Sequence, residues 1–325
     1  MVLLILVLEK LNKTYLSKKN KQGDTMLLKI VKTSALVAFA ATTLNASAFD
    51  AQAEKDRLAL VKYMEAKFAN TANDNGKFFP YSTADELKKF KQAPKHAEFA
   101  LGTYAYDKIG KMSRDDQMDM PPFEENVEKG EALYSKYIKQ CISNPATLGD
   151  YPMFNEKTGK VDTLSETIVN CAKKQGLPGG KKGWNLKGGK TADVQSYMSM
   201  MSQDEEKKID IKISSAAAKA AYEMGKKEFY SQRGYFKLSC ATCHVQGAGQ
   251  RVRLQLMSPL LGNVTHFPVY RVGKGKLFTL EGRLGGCNRD TGEQPHKAGS
   301  DWSSNVLYFM SYMSNGMNVA QDVRR

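Results

Sequence analysis

Cys240-Ala-Thr-Cys243-His244 constrains this chain more than any other feature of its 325 residues. Two thiols three positions apart on a turn can reach both vinyl groups of a haem and form thioether bonds. The histidine that follows then lies beneath the iron as its proximal ligand. From the chain's own usage of five Cys and four His, chance supplies only about 0.001 such motifs. A zinc site would need a second closely spaced Cys/His pair, and the sequence holds none. A thioredoxin-type pair opens a helix after a strand, and no strand pattern precedes Cys240. The motif therefore implies one covalently attached haem c.

The compartment agrees with that chemistry. Met26 to Ala48 carries Lys29 and Lys32, then a short core of apolar and small residues, then Ala46-Ser47-Ala48. That order is the layout of an export signal cleaved after about Ala48. The core is too short for a stable membrane anchor, and no long charge-free apolar run follows, so the mature chain is expected to have no membrane span. Residues 1–25 fit a signal poorly, which makes Met26 the expected start. The segment 1–48 holds seven Lys and two acidic residues, so the net charge falls from +14 to +9 without it. The remaining basic residues are dispersed, with no arginine-rich arm, which argues against nucleic-acid binding. A mild cationic field that recruits small anions or acidic partners fits better. An exported bacterial chain matures in the periplasm, where disulfides persist.

Beyond the leader the pattern is helical. Leu58, Leu60, Val61, Met64 and Phe68 recur at helix-like intervals. Strand-period alternation is scarce. Two pairs of segments resemble each other in the same order: 130–141 with 225–240, and Val194-Gln-Ser-Tyr-Met-Ser-Met-Met-Ser202 with Val306-Leu-Tyr-Phe-Met-Ser-Tyr-Met-Ser314. Such ordered recurrence points to an internal duplication. The fold class expected is mainly α, as two cytochrome c-like domains of which the first lacks haem. The expected bounds are 49–204, including an N-terminal extension, and 205–325 for the haem domain. The boundary is placed in the charged stretch 202–212, read as solvated.

Two cysteines serve the haem motif. Cys141 falls where the duplicate has its haem cysteines, yet neither a second Cys nor a His follows it. Cys171 lies 30 residues on, at the end of the helix expected over 165–174. A Cys141–Cys171 disulfide would staple a domain that has no cofactor to organise it. Cys287 is left over, in Glu281-Gly-Arg283-Leu-Gly-Gly-Cys287-Asn288. The glycines allow close approaches, and Arg283 could grip an oxyanion by two parallel hydrogen bonds. On spacing alone, Cys287 could equally be a free or partner-bridged cysteine in a glycine loop.

These residues, with Gly249-Gln-Arg251-Val-Arg253, Pro268-Val-Tyr-Arg271 and Asn315-Gly-Met317, resemble the SoxA family. That family is the c-type cytochrome subunit of the bacterial sulfur-oxidation system, and the likeness here is to its single-haem variety. The resemblance is specific over 235–316 and weak over 50–110. It implies that Cys240 and Cys243 attach haem, and that His244 and Cys287 are its axial ligands. It also implies that Cys287 is the catalytic sulfur, carried as a persulfide, and that Arg283 binds the substrate anion. The implied partners are a SoxX-type c cytochrome in a heterodimer and a SoxYZ-type carrier. The implied reaction joins thiosulfate oxidatively to a carrier cysteine, making the chain an L-cysteine S-thiosulfotransferase subunit.

Arg271, Lys274, Lys276, Arg283 and Arg289 bracket that site with positive charge, which would concentrate a dianion. Arg253 and Arg271 are weaker candidates for pairing with haem propionates. The competing reading is an electron-transfer cytochrome with methionine as sixth ligand, from Met257, Met310, Met313 or Met317. His266 and His296 are further ligand candidates, each more commonly a surface or loop histidine, and His96, in a Lys-rich segment far upstream, is read as having no role at the site. Met198, Met200 and Met201 crowd the matching helix of the first half, where no iron is needed, so core packing accounts for both groups. A third reading keeps the haem as a structural staple in a non-catalytic docking subunit.

Overall fold

The computed structural model describes residues 49–73, 87, 93–181, 183–252 and 255–324. The expected leader 1–48 and Arg253 lie outside the described residues. What is described is mainly α. Helix α1 spans Ala51–Asn73. It buries Ala53, Leu60, Met64 and Phe68 on one face, while Leu58 is 52% exposed, not part of the core. A kinked 3-10 segment over His96–Ala105 and helix α2, Lys108–Met118, complete the N-terminal extension. Among the described residues, no helix is long and apolar enough to cross a membrane.

The rest is built twice. Helix α3 (Glu124–Leu133) runs into a π turn at Tyr134–Ile138, and α4 spans Leu164–Lys174. Helix α5 (Lys190–Asp204) then packs across α3. In the second half α6 (Ala216–Tyr230) is followed by a π turn at Thr242–Gln246 and by α7, Leu280–Asp290. Helix α8 (Asp301–Tyr312) packs across α6. Both crossings are made through a glycine. A Cβ at Gly130 would lie 2.0 Å from the Asp193 carbonyl oxygen, and one at Gly225 would lie 1.9 Å from that of Asn305. The aromatic neighbours also repeat, with Tyr134–Tyr197 centroids at 5.4 Å and Phe229–Phe309 at 5.3 Å. These are the residues that the two sequence pairs align.

Short antiparallel hairpins precede α4 and α7. They are β1–β2 (Met153–Asn155 with Lys160–Asp162) and β7–β8 (Val269–Arg271 with Lys276–Phe278), in matching register. Between them lie β3–β4 (Trp184–Asn185, Gly188–Gly189) and β5–β6 (Arg251–Val252, Gln255–Leu256). A final strand β9, Asp322–Arg324, adds parallel to β7. Thr163 and Thr279 cap α4 and α7 by accepting from Glu166 N and Gly282 N. Each such cap is worth about 1 kcal/mol.

The stretch after α5 is not the solvated linker expected. Ile209, Ile211 and Ile213 are 1–2% exposed, alternating with exposed charged residues. Ile209 N donates to Met317 O, and Asp210 N donates to Gly149 O. Asn315 accepts from Ile211 N and donates to Ile211 O. The charges face outward while the isoleucines stitch this stretch into one continuous core.

Candidate functional site

The haem-type motif sits on the π turn. Ser239 and Thr242 exchange hydrogen bonds at its start, each backbone N–H donating to the other's hydroxyl at 3.1 Å. His244 is held from behind: its Nδ1 lies 2.9 Å from the Ser258 carbonyl. A carbonyl only accepts, so Nδ1 carries the proton and Nε2 is the basic nitrogen. Burial holds the imidazole below its ordinary pKa, partly offset by the Ser258 bond. The ring is therefore neutral at pH 7, the form a metal ligand requires.

Cys287 lies on α7 and not in a glycine loop. The Thr279 cap starts the helix, and Gly282 serves packing. A Cβ at Gly282 would stand 2.5 Å from Lys187 O, so only glycine lets the β3–β4 hairpin rest on this helix. Thr279 Oγ1 donates to Leu186 O at 2.6 Å, fixing the same contact. Arg283 and Cys287, one helical turn apart, share a face. Burial pushes the Cys240 thiol up to about 12, and the Cys287 sulfur adds to that rise. Cys243 is raised by the same two causes in the same order. All three sulfurs thus lie in one neighbourhood, and each is half-buried.

Arg271, at the end of β7, joins them. Burial and then the adjacent Arg283 guanidinium pull its pKa down, while Cys287 and Asp290 act in the opposite sense. Arg271 thus lies near both Arg283 and Cys287, and Arg283 also forms a loose ion pair with Asp290 at 3.8 Å. Lys274, Lys276 and Arg289 stand on the exposed rim. Such a cluster of positive charge can hold a small dianion beside a cysteine sulfur.

The other candidates fall elsewhere. Met310, Met313 and Met317 are packed in the core, as is Met198 in the first half. Met257 is half-buried in a loop, its backbone paired with Gln250. His296 stacks on Trp302 at 3.7 Å and pairs with Glu293 at 2.9 Å. His266 is buried against Phe267. His96 is half-buried near Glu65, which accepts from its backbone N–H. Among the described residues no group of three or more His, Cys, Asp or Glu side chains could hold a metal ion unaided.

Cys141 and Cys171 form a disulfide. Its placement carries information that the sequence reading missed. The hairpins β1–β2 and β7–β8, the caps Thr163 and Thr279, and Cys171 and Cys287 all correspond, each pair 116 positions apart. Cys171 is thus the counterpart of Cys287, and in the first half that sulfur is bound to Cys141. The signal was present in the sequence as Thr163-Leu164 and Thr279-Leu280, each followed by a cysteine at the same spacing.

No protein-family model matches the chain. Individual relatives do. The chain is 37% identical over 246 residues to the L-cysteine S-thiosulfotransferase subunit SoxA of Chlorobaculum thiosulfatiphilum, covering 71% of this chain and 84% of that protein. It is 30% identical to the subunit of the same name from Allochromatium vinosum, over 71% of this chain and 83% of the relative. The chain belongs to the SoxA family. Its structure also matches a chain of the crystal structure of SoxXA from P. pantotrophus. That match has a TM-score of 0.56 and 26% identity, covering 65% of this chain and 84% of the other. The family assignment made from the C-x-x-C-H motif and the Arg283–Cys287 segment is therefore upheld.

Proposed function

We propose that this SoxA chain is the catalytic subunit of an L-cysteine S-thiosulfotransferase, with Cys287 as the reacting sulfur. The observation that carries the proposal is the convergence of Cys287, Arg283 and Arg271 with Cys240 and Cys243. The donor set fits one haem c: the half-buried thiols of Cys240 and Cys243 would hold it covalently, and His244, neutral with its Nδ1 proton fixed, and Cys287 would ligate its iron. When bound, the haem accepts electrons one at a time and passes them on.

The protein residues supply the remaining steps. Arg283 and Arg271 bind the thiosulfate dianion and orient its terminal sulfur toward Cys287, which is carried as a persulfide. Joining thiosulfate to a carrier thiol forms one S–S bond and releases one proton and two electrons. The product is a cysteine S-thiosulfonate on a SoxYZ-type carrier. A SoxX-type cytochrome in the heterodimer is the electron acceptor. The mature chain is periplasmic, with residues 1–48 removed. Residues 49–204 hold the N-terminal extension and the haemless domain, where the Cys141–Cys171 disulfide replaces the cofactor as the link between turn and helix, and 205–325 form the haem domain.

The test is thiosulfate turnover by the heterodimer with its carrier. Cys287→Ala should abolish conjugation while haem content stays at the wild-type level. Retained turnover in that variant would refute the assignment.

A further inference from the structure

The N-terminal extension reaches the haem turn through one buried cation. Lys67 on α1 is 3% exposed, an unusual burial for lysine. Its Nζ donates to Val245 O at 3.2 Å and to Gln246 O at 2.5 Å. These are the two carbonyls that directly follow His244 and end the π turn. The rest of the extension braces the same region. Phe68 packs against Phe99 and Tyr106, with centroids 5.4 and 4.6 Å away. Tyr106 donates to Met257 O at 2.5 Å, one residue before the carbonyl that holds His244. Leu260 N donates to His244 O at 2.7 Å, and Thr265 Oγ1 donates to Ala100 O.

We propose that Lys67 is a positioning residue that pins the turn carrying His244 and keeps a positive charge on that turn, biasing the bound haem toward its reduced state. Reduction from ferric to ferrous adds one electron and removes one positive charge, so a fixed cation nearby favours it. Burial lowers the Lys67 pKa to about 8, which still leaves it protonated at neutral pH. The extension thereby takes part in redox tuning, although the likeness to the family is weakest there. This inference rests on the haem reading of Cys240–His244.

The experiment is a potentiometric titration of the purified, haem-loaded heterodimer carrying Lys67→Arg, Lys67→Gln or Lys67→Met. Wild-type protein that matures without covalent haem would refute the haem reading itself, apart from any role of Lys67. With haem in place, the Gln and Met variants are expected to shift the midpoint to lower potential, and the Arg variant to stay near wild type. The EPR ligation signature should be the same in all. A midpoint unmoved in Gln and Met, or displaced as far in Arg as in Met, would overturn the proposal. Loss of haem from both neutral variants with normal uptake by Arg would overturn the redox role, leaving Lys67 to pin the turn for haem attachment alone.

Discussion

Gly225→Ala measures how much of the stability rests on the α6–α8 crossing. The new Cβ would sit 1.9 Å from the Asn305 carbonyl oxygen, where ordinary contact begins at 3.4 Å. The obstacle is backbone, so no rotamer change relieves it, and the helices must part by about 1.5 Å. Overpacking of this kind costs about 1–3 kcal/mol. Parting the helices also loosens the Phe229–Phe309 and Tyr222–Phe309 pairs, each worth about 0.5–1.5 kcal/mol. Against this, alanine gains about 1 kcal/mol over glycine in a helix interior. The expected net loss is about 2–3 kcal/mol, a fall in Tm of roughly 5–10 °C. Gly130→Ala should cost about the same, because its Cβ would meet Asp193 O at 2.0 Å. Gly273→Ala is the control, since nothing lies within 4 Å of its Cβ. Thermal unfolding of the three variants checks the reasoning. Gly225→Ala as stable as Gly273→Ala would refute it.

Removing the disulfide with Cys141→Ala and Cys171→Ala opens a loop of sequence separation 30, and denaturant unfolding should register a loss of about 3–4 kcal/mol. Glu281 is 4% exposed and accepts from Ser165 Oγ at 2.8 Å. Burial, foremost, and the like charge of Glu166 raise its pKa, opposed by hydrogen bonds from Thr163 and Ser165. A carboxyl raised in the folded state stabilises below its unfolded value and loses that contribution as pH rises through its folded value. Glu281→Gln should therefore gain on wild type as pH rises above the ordinary glutamate range of about 4.3, and a difference in Tm that does not change with pH would contradict this. Arg283→Ala should raise the thiosulfate concentration needed for half-maximal turnover while leaving haem content unchanged, which steady-state kinetics and absorption spectra would report.

The placement of Cys243 and His244 together on one turn was legible in the sequence because it is local. Cys240, Cys243 and His244 fall within five residues, and the crossing glycines open the two recurring segments 130–141 and 225–240. Helix α4 is observed over Leu164–Lys174, one residue from the expected start. The alternation Ile209, Ile211, Ile213 was also visible, but the charges between hid it, because a half-buried strand and a solvated linker share that composition. What could not be read was long-range. Lys67 meets Val245 across 178 positions, and nothing local distinguishes it from the other lysines of an amphipathic helix. Ser258 supports His244 through its backbone carbonyl, a role that leaves no trace in residue type. Glu281 gave only a weak sign, an acidic residue inside a glycine-rich stretch that became a helix.

The measurement that bears most directly on the account is the EPR spectrum of the ferric, haem-loaded protein. Cys287 as axial ligand gives a low-spin signal with the narrow g-spread of thiolate ligation, and Cys287→Ala should lose it. A His/Met signal in the wild-type protein, unchanged by Cys287→Ala, would contradict the assigned site and leave an electron-transfer cytochrome.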